Sequence, residues 1–301
     1  MFGRGEFIAL GVKKGIHNQT DFNSLLENDP TLASLSEVYY EFRKFVEDPN
    51  LGFAEVDRII LKDVNLTARI LKIVNSAFYS FSSKIETVSR AASVIGTEQL
   101  SYILLSTVVM DKFQGIPENV INMDSFWRHS IACGLISKKL AVYKGELNSE
   151  KHFTIGMLHD IGRLVMCVNM PNRTWEILIR SNLDNQALHL TEKQELGFDH
   201  AQLGGALLKK WNLPEVYQEV AEYHHNPDQA LHFPGEVAHC HLADIIANTL
   251  KLGCSGESFF VPKLEARAWA KARPPQNISL TVIKDEIEEI FEETAQAFLA
   301  H

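Results

Sequence analysis

The chain is predicted to be all-helical, and three features of its sequence lead there. Apolar residues recur at three- and four-residue intervals from Leu35 to Phe298. No stretch of useful length alternates apolar and polar as a half-buried strand does. The periodic segments are separated by short breaks carrying Asp, Asn, Gly or Pro, the residues that cap or stop helices. With 301 residues, 46% of them hydrophobic, the chain can bury one large core or two smaller ones.

Residues 1–19, with four glycines and no motif, are expected to be a loosely ordered lead-in. An N-terminal helical subdomain is expected over residues 20–115. Asp21 suits the cap of a first short helix that Pro30 interrupts. Leu35, Val38, Tyr39, Phe42 and Val46 line the next helix, which stops near Asp48-Pro49. Two helices follow between Leu51 and Ser76, with Asp63 to Asn65 as the break between them. Asn75, Ser76 and Tyr79 read as capping residues. A further helix carries Ile85 to Ile95 and ends at Gly96, a residue suited to a left-handed cap. Gln99–Phe113 is apolar on all sides and should be buried.

Residues 116–252 form the second expected subdomain, and here histidines interrupt the apolar pattern. Helices are expected over Phe126–Tyr143, Thr174–Ser181, His200–Trp211 with Asp199 as its cap, Pro214–Tyr223, and around Asp244. Residues 253–301 comprise an irregular segment, Gly253 to Pro275, read as a lid or connector whose Phe259, Phe260 and Trp269 dock on the core, and then an acidic helix. On that helix Ile283, Ile287, Ile290, Phe291 and Phe298 face inward, and Glu286, Glu288, Glu289, Glu292 and Glu293 form a solvated face.

A formal net charge of −9 argues against a nucleic-acid surface, which needs concentrated Lys and Arg. The four cysteines, Cys133, Cys167, Cys240 and Cys254, are widely spaced and read as buried thiols in a reducing compartment. The longest apolar run, Tyr102 to Met110, is too short to span a bilayer, so the cytoplasm is the expected location, without membrane contact.

One stretch organises the second half. In Phe153-Thr-Ile-Gly-Met-Leu-His-Asp-Ile-Gly-Arg-Leu-Val165, His159 and Asp160 stand side by side in apolar company. Burying a carboxylate there is costly without a partner, and a metal ion is one efficient partner; a hydrogen-bonded pair is the alternative. Collecting the polar residues that interrupt apolar helices adds His129, His200, His224, His225 and Asp244. Each has an ordinary structural reading: a hydrogen-bonded core histidine for His129, the first turn of an exposed helix for His200, a helix C-terminus for His224 and His225. Asp244 is harder to place without a cation or donors.

The order of these residues resembles the histidine-aspartate (HD) superfamily of metal-dependent phosphohydrolases. Five segments narrow the match: Asn75-Ser-Ala-Phe-Tyr79, Leu158-His-Asp-Ile-Gly162, Phe198-Asp-His-Ala-Gln-Leu-Gly204, Lys210-Trp-Asn-Leu-Pro214 and Tyr223-His-His-Asn-Pro227. Together they resemble the HDOD family, the HD-related output domain of bacterial signalling proteins, from about Glu37 to Thr249. The resemblance implies an all-α fold in which residues 20–115 pack on an HD-like helical core over residues 116–252. It also implies a ligand set of His129, His159, Asp160, His200, His224, His225 and Asp244, holding one or two divalent ions. Imidazole and carboxylate donors without thiolate suit Fe, Mn, Zn, Ni or Co.

The family as a whole implies regulation through a signalling partner rather than turnover; the full ligand set implies the alternative, a phosphohydrolase acting on a nucleotide or cyclic dinucleotide. For catalysis the candidates are Asp160, bridging two ions, and Arg163, a phosphate clamp or the partner of a nearby carboxylate. The related HD-GYP cyclic-di-GMP phosphodiesterases carry lysine where this chain has Arg163. Their Gly-Tyr-Pro segment is also missing after the paired histidines, where the chain reads Asn226-Pro-Asp-Gln-Ala-Leu-His-Phe-Pro234. No receiver domain is expected ahead of the matched region.

Overall fold

A computed structural model describes residues 22–27, 29–48, 52–257, 270–272 and 279–300. Helices run in the order α1 (Phe22–Glu27), a 3-10 turn (Pro30–Leu32), α2 (Glu37–Glu47), α3 (Phe53–Ile60), α4 (Val64–Val74), α5 (Val88–Ile95) and α6 (Thr97–Lys112). They continue with α7 (Met123–Lys144), α8 (Glu150–Leu158), α9 (Ile161–Asn169), α10 (Pro171–Asp184), α11 (Leu188–Leu196), α12 (His200–Lys210), α13 (Glu215–Tyr223), a 3-10 turn (Pro227–Gln229), α14 (Pro234–Leu250) and α15 (Leu280–Leu299). No strand occurs among the described residues. The expected lead-in, Asp21, and the docking of Phe259, Phe260 and Trp269 fall outside them. Among the described residues no helix is long and apolar enough to cross a membrane.

Asp199 caps α12 as expected, in a reciprocal capping box with Gln202, and Asp63, read from sequence only as part of a break, accepts from Leu66 N at the start of α4. Gly96 differs from expectation. Its φ of 93° and ψ of 152° lie in a region essentially reserved for glycine, and it joins α5 directly to α6 rather than closing α5 with a left-handed turn. Asn75 does more than cap: its side chain accepts from Ile85 N and donates to Ile85 O, pinning the 76–87 connector.

The centre of the fold is α7, buried on all sides, with α8, α14 and α15 packed on it. One continuous apolar core runs from Leu25 to Phe298 and crosses residue 115 without a gap. The acidic face of α15 is not simply solvated, as read from sequence. Glu286 pairs with Lys139 and accepts from the Tyr143 hydroxyl, Glu292 meets Arg128, and Glu293 accepts from Ala77 N. Lys139, Tyr143 and Arg128 belong to α7 and Ala77 to the connector after α4, partners that no pattern within α15 reveals.

Candidate metal centre

His159 and Asp160 do not lie in one continuous helix. The chain steps between α8 and α9: His159 keeps helical dihedrals, while Asp160 adopts φ −94°, ψ 9°. Two glycines set the helices around this step. A Cβ on Gly156 would lie 2.6 Å from the Cys133 carbonyl, so α8 meets α7 backbone to backbone. A Cβ on Gly162 would lie 2.0 Å from His200 O, so α9 is equally close to the start of α12. The first approach sets His159 beside His129; the second sets Asp160 beside His200. Asp244 arrives from the middle of α14, and His224 and His225 from the end of α13.

All seven residues expected as ligands converge. His129, His159 and Asp244, with Cys133, offer donor atoms within 4.8 Å of one another, as do Asp160, His200, His224 and His225. Asp160 joins the groups. Its Oδ2 lies 3.4 Å from His159 Nε2 and 4.0 Å from His129 Nε2, and its Oδ1 lies 3.1 Å from His200 Nε2 and 3.5 Å from His224 Nε2. His129 Nε2 is 3.1 Å from Asp244 Oδ1.

The tautomers follow from the other ring nitrogens. His159 Nδ1 donates to Gly156 O and His224 Nδ1 to Ala221 O, because a carbonyl can only accept. Each therefore turns a lone pair at Nε2 inward. Those two Nε2 atoms and Asp160 Oδ1 are buried and make no hydrogen bond. Left so, they cost stability; a cation satisfies all three.

Asp160 and Glu257 stand beside the Arg163 guanidinium, Glu192 pairs with His200, and Asp244 pairs with His129. Burial raises the Glu257 pKa. Burial also raises Asp160 and Asp244, but it is outweighed. Arg163 and His159 hold Asp160 well below its ordinary range, and His129 holds Asp244 at about 2. Burial lowers His224 and, together with His224, lowers His225 well below the ordinary value, keeping both imidazoles neutral. At His159 burial is overcome by Asp160, and at His200 burial and Arg163 are overcome by Glu192 and Asp160, which push it up to about 10. The His200 ring holds a proton that a metal would displace.

Arg163 reaches the centre, as its spacing from Asp160 predicts, but it is 1% exposed. Its Nη2 lies 2.9 Å from His200 Nε2 and 3.5 Å from Asp160 Oδ1. Its Nη1 donates to Ser255 O and Ser255 Oγ, and Glu257 Oε2 stands 3.9 Å from Nη2. Of the two alternatives for Arg163, the structure shows the pairing with nearby carboxylates, and these lie inside the centre. Residues 253–257, the described start of the irregular segment, cover it.

Several supporting residues escaped the sequence reading. Glu192 Oε2 accepts from both the backbone N and Nδ1 of His200. His241 Nδ1 donates to His224 O, and the His189 ring stacks on His225 at 4.2 Å. Cys133 Sγ lies 3.4 Å from His129 Nε2, although burial and Asp244 raise its pKa and keep it a thiol. The signal for Cys133 was its position four residues after His129; the others carry no local signature.

Among known proteins, an uncharacterised protein of Treponema pallidum (strain Nichols) is 26% identical over 208 residues, 67% of this chain but 39% of that protein. An HDOD domain protein of unknown function from Geobacter sulfurreducens superposes with a TM-score of 0.72 at 22% identity, covering 89% of this chain and 93% of its own. A candidate phosphohydrolase from Shewanella amazonensis SB2B gives 0.71 at 21% identity, covering 91% and 97%. At these identities the two structures establish a shared fold. The HDOD domain model matches residues 32–227, nearly two thirds of the sequence, and with the helical architecture and the histidine-aspartate step this places the chain in the HDOD family.

Proposed function

We propose that the chain is a regulatory HDOD module that retains an HD-type metal centre and acts on a protein partner rather than by turning over a substrate. The observation that carries this reading is the burial of Arg163. Its guanidinium lies across the second group of ligands, fixed by Ser255 and facing Glu257, where an incoming phosphate would need to sit. His129, His159, His200 and His224 are fully buried, so the centre is enclosed on the side the arginine covers. His129, His159, Asp160 and Asp244 would hold one divalent ion, and the donor set suits Fe, Mn, Zn, Ni or Co.

A second reading has its own support. Asp160 turns one oxygen to each ligand group, the placement of a bridging carboxylate, with His200, His224 and His225 available to a second ion. Bound there, two ions would supply the Lewis acidity that phosphoester hydrolysis requires, with a nucleotide or cyclic dinucleotide as substrate. Arg163, released from Ser255, would bind the phosphate in a bidentate fashion.

Purified protein assayed by elemental analysis, and for hydrolysis of bis-p-nitrophenyl phosphate and cyclic-di-GMP with Mn or Fe added, separates the two. The regulatory reading expects bound metal and no turnover above that of Asp160→Asn. Turnover that Asp160→Asn abolishes overturns it in favour of the hydrolase.

A further inference from the structure

A second collection of metal-type donors lies apart from the HD centre. Glu146 sits in the turn after α7, His152 in the first turn of α8 and His239 in the first half of α14, and each offers one atom within 4.8 Å of the other two. We propose that Glu146, His152 and His239 form a separate site for a single divalent transition-metal ion, clasping three elements of the core. The inference does not depend on the function proposed above.

Both imidazoles are fully buried. His239 Nε2 lies 3.2 Å from Ala272 O, which can only accept, so Nε2 carries the proton and Nδ1 the lone pair. That Nδ1 makes no hydrogen bond and faces Glu146 Oε1 at 4.0 Å. A carbonyl on the far nitrogen is the usual outer support of a ligating histidine. The His152 ring stands 5.1 Å from the His239 ring, and its Nε2 is 2.6 Å from Glu146 Oε2. An ion seated here would replace the hydrogen bond between those two atoms, with the His152 proton then carried on Nδ1. Burial, reinforced by His152, holds the His239 pKa down at about 4, which keeps its lone pair available.

Two imidazoles and one carboxylate suit zinc, cobalt or ferrous iron. Lys144 Nζ, 3.0 Å from Glu146 Oε1, is the competing cation, and it is partly exposed and free to swing outward. A cavity of about 390 Å³ lined by Lys144, Gly235 and Lys271 opens beside it. The placement has a structural meaning. His152 precedes His159 by seven residues, about 10 Å along α8 at 1.5 Å per residue, and His239 precedes Asp244 on α14. The same two helices carry both sites, so an ion here fixes the register in which α8 and α14 deliver His159 and Asp244.

The test is equilibrium dialysis of the full chain against micromolar zinc or cobalt, with metal counted by elemental analysis, together with anomalous diffraction from crystals of the dialysed protein. Wild-type protein is expected to hold one equivalent more than either Glu146→Gln or His239→Gln, with an anomalous peak among the three side chains. Glu146 is partly exposed, so Glu146→Gln decides the matter if His239→Gln fails to fold. Equal metal content in wild type and Glu146→Gln, or a peak that forms only on soaking with millimolar metal, overturns the proposal and leaves the three residues with Lys144 as an ion-pair network.

Discussion

At Glu192 a single carboxylate oxygen receives two protons from one residue, the backbone N–H and the ring Nδ1–H of His200. It both orients the imidazole and fixes its tautomer. Glu192→Gln keeps the shape but removes the charge, and is expected to weaken metal affinity by about 10–100-fold, the usual effect of losing an outer support; competition with a chromogenic chelator measures it. Proton linkage adds a second expectation. Because His200 is raised to about 10, binding a metal at neutral pH must release its proton, so apparent affinity should climb with pH through the neutral range. Calorimetry in buffers of different ionisation enthalpy reads that release, and a buffer-independent heat would contradict it. For the metal-free protein the sign is opposite. His200 titrates near 6.5 unfolded and about 10 folded, so its contribution to stability is complete below about pH 6.5 and disappears as pH rises through about 10. At this scale the candidate ligands that the structure brings together were legible because most are polar residues breaking an apolar helix. Glu192, Ser255 and Glu257 were not, because nothing in their immediate neighbourhoods distinguishes them from surface residues.

Between elements, the centre depends on two close helix crossings. Gly162→Ala would drive a methyl group into His200 O and Gly204 N, both backbone atoms that cannot rotate away. The substitution is expected to cost about 3 kcal/mol, at the upper end of overpacking effects, and to reduce bound metal as α9 and α12 separate. Urea unfolding and elemental analysis check the two parts. Helices were readable from the three- and four-residue spacing, the Asp199 cap from residue type, and the break at Asp63 from the same signal. The step at His159-Asp160 was not, since the apolar spacing continues through it and only tertiary contacts at Gly156 and Gly162 reveal it. The acidic face of α15 is largely solvated as expected, but its partners were hidden for a related reason: a charged stripe looks the same from within one helix whether water or Arg128 lies opposite.

For the molecule as a whole, the candidate ligands come from five separate parts of the chain, namely α7, the α8–α9 step, the start of α12, the end of α13 and the middle of α14. A bound ion would therefore stabilise the entire arrangement. At a free metal concentration a thousandfold above Kd the gain is about 4 kcal/mol, and stripping with a chelator should lower the thermal midpoint accordingly, in one transition because the apolar core is continuous. A midpoint unmoved by chelation would argue against any ion in the centre. The continuity of that core was legible only in part, since sequence pattern marks which residues are buried and not which buried residues meet.

The Arg163–Ser255 contact also has a consequence in time. An ion held beneath that buried guanidinium would leave only after Nη1 let go of the Ser255 carbonyl and hydroxyl. Exchange would then run at the pace of that release, and adding more chelator beyond the first excess would not hasten it. The centre would keep whichever metal was present when the chain folded, a record of past supply rather than a gauge of the present one.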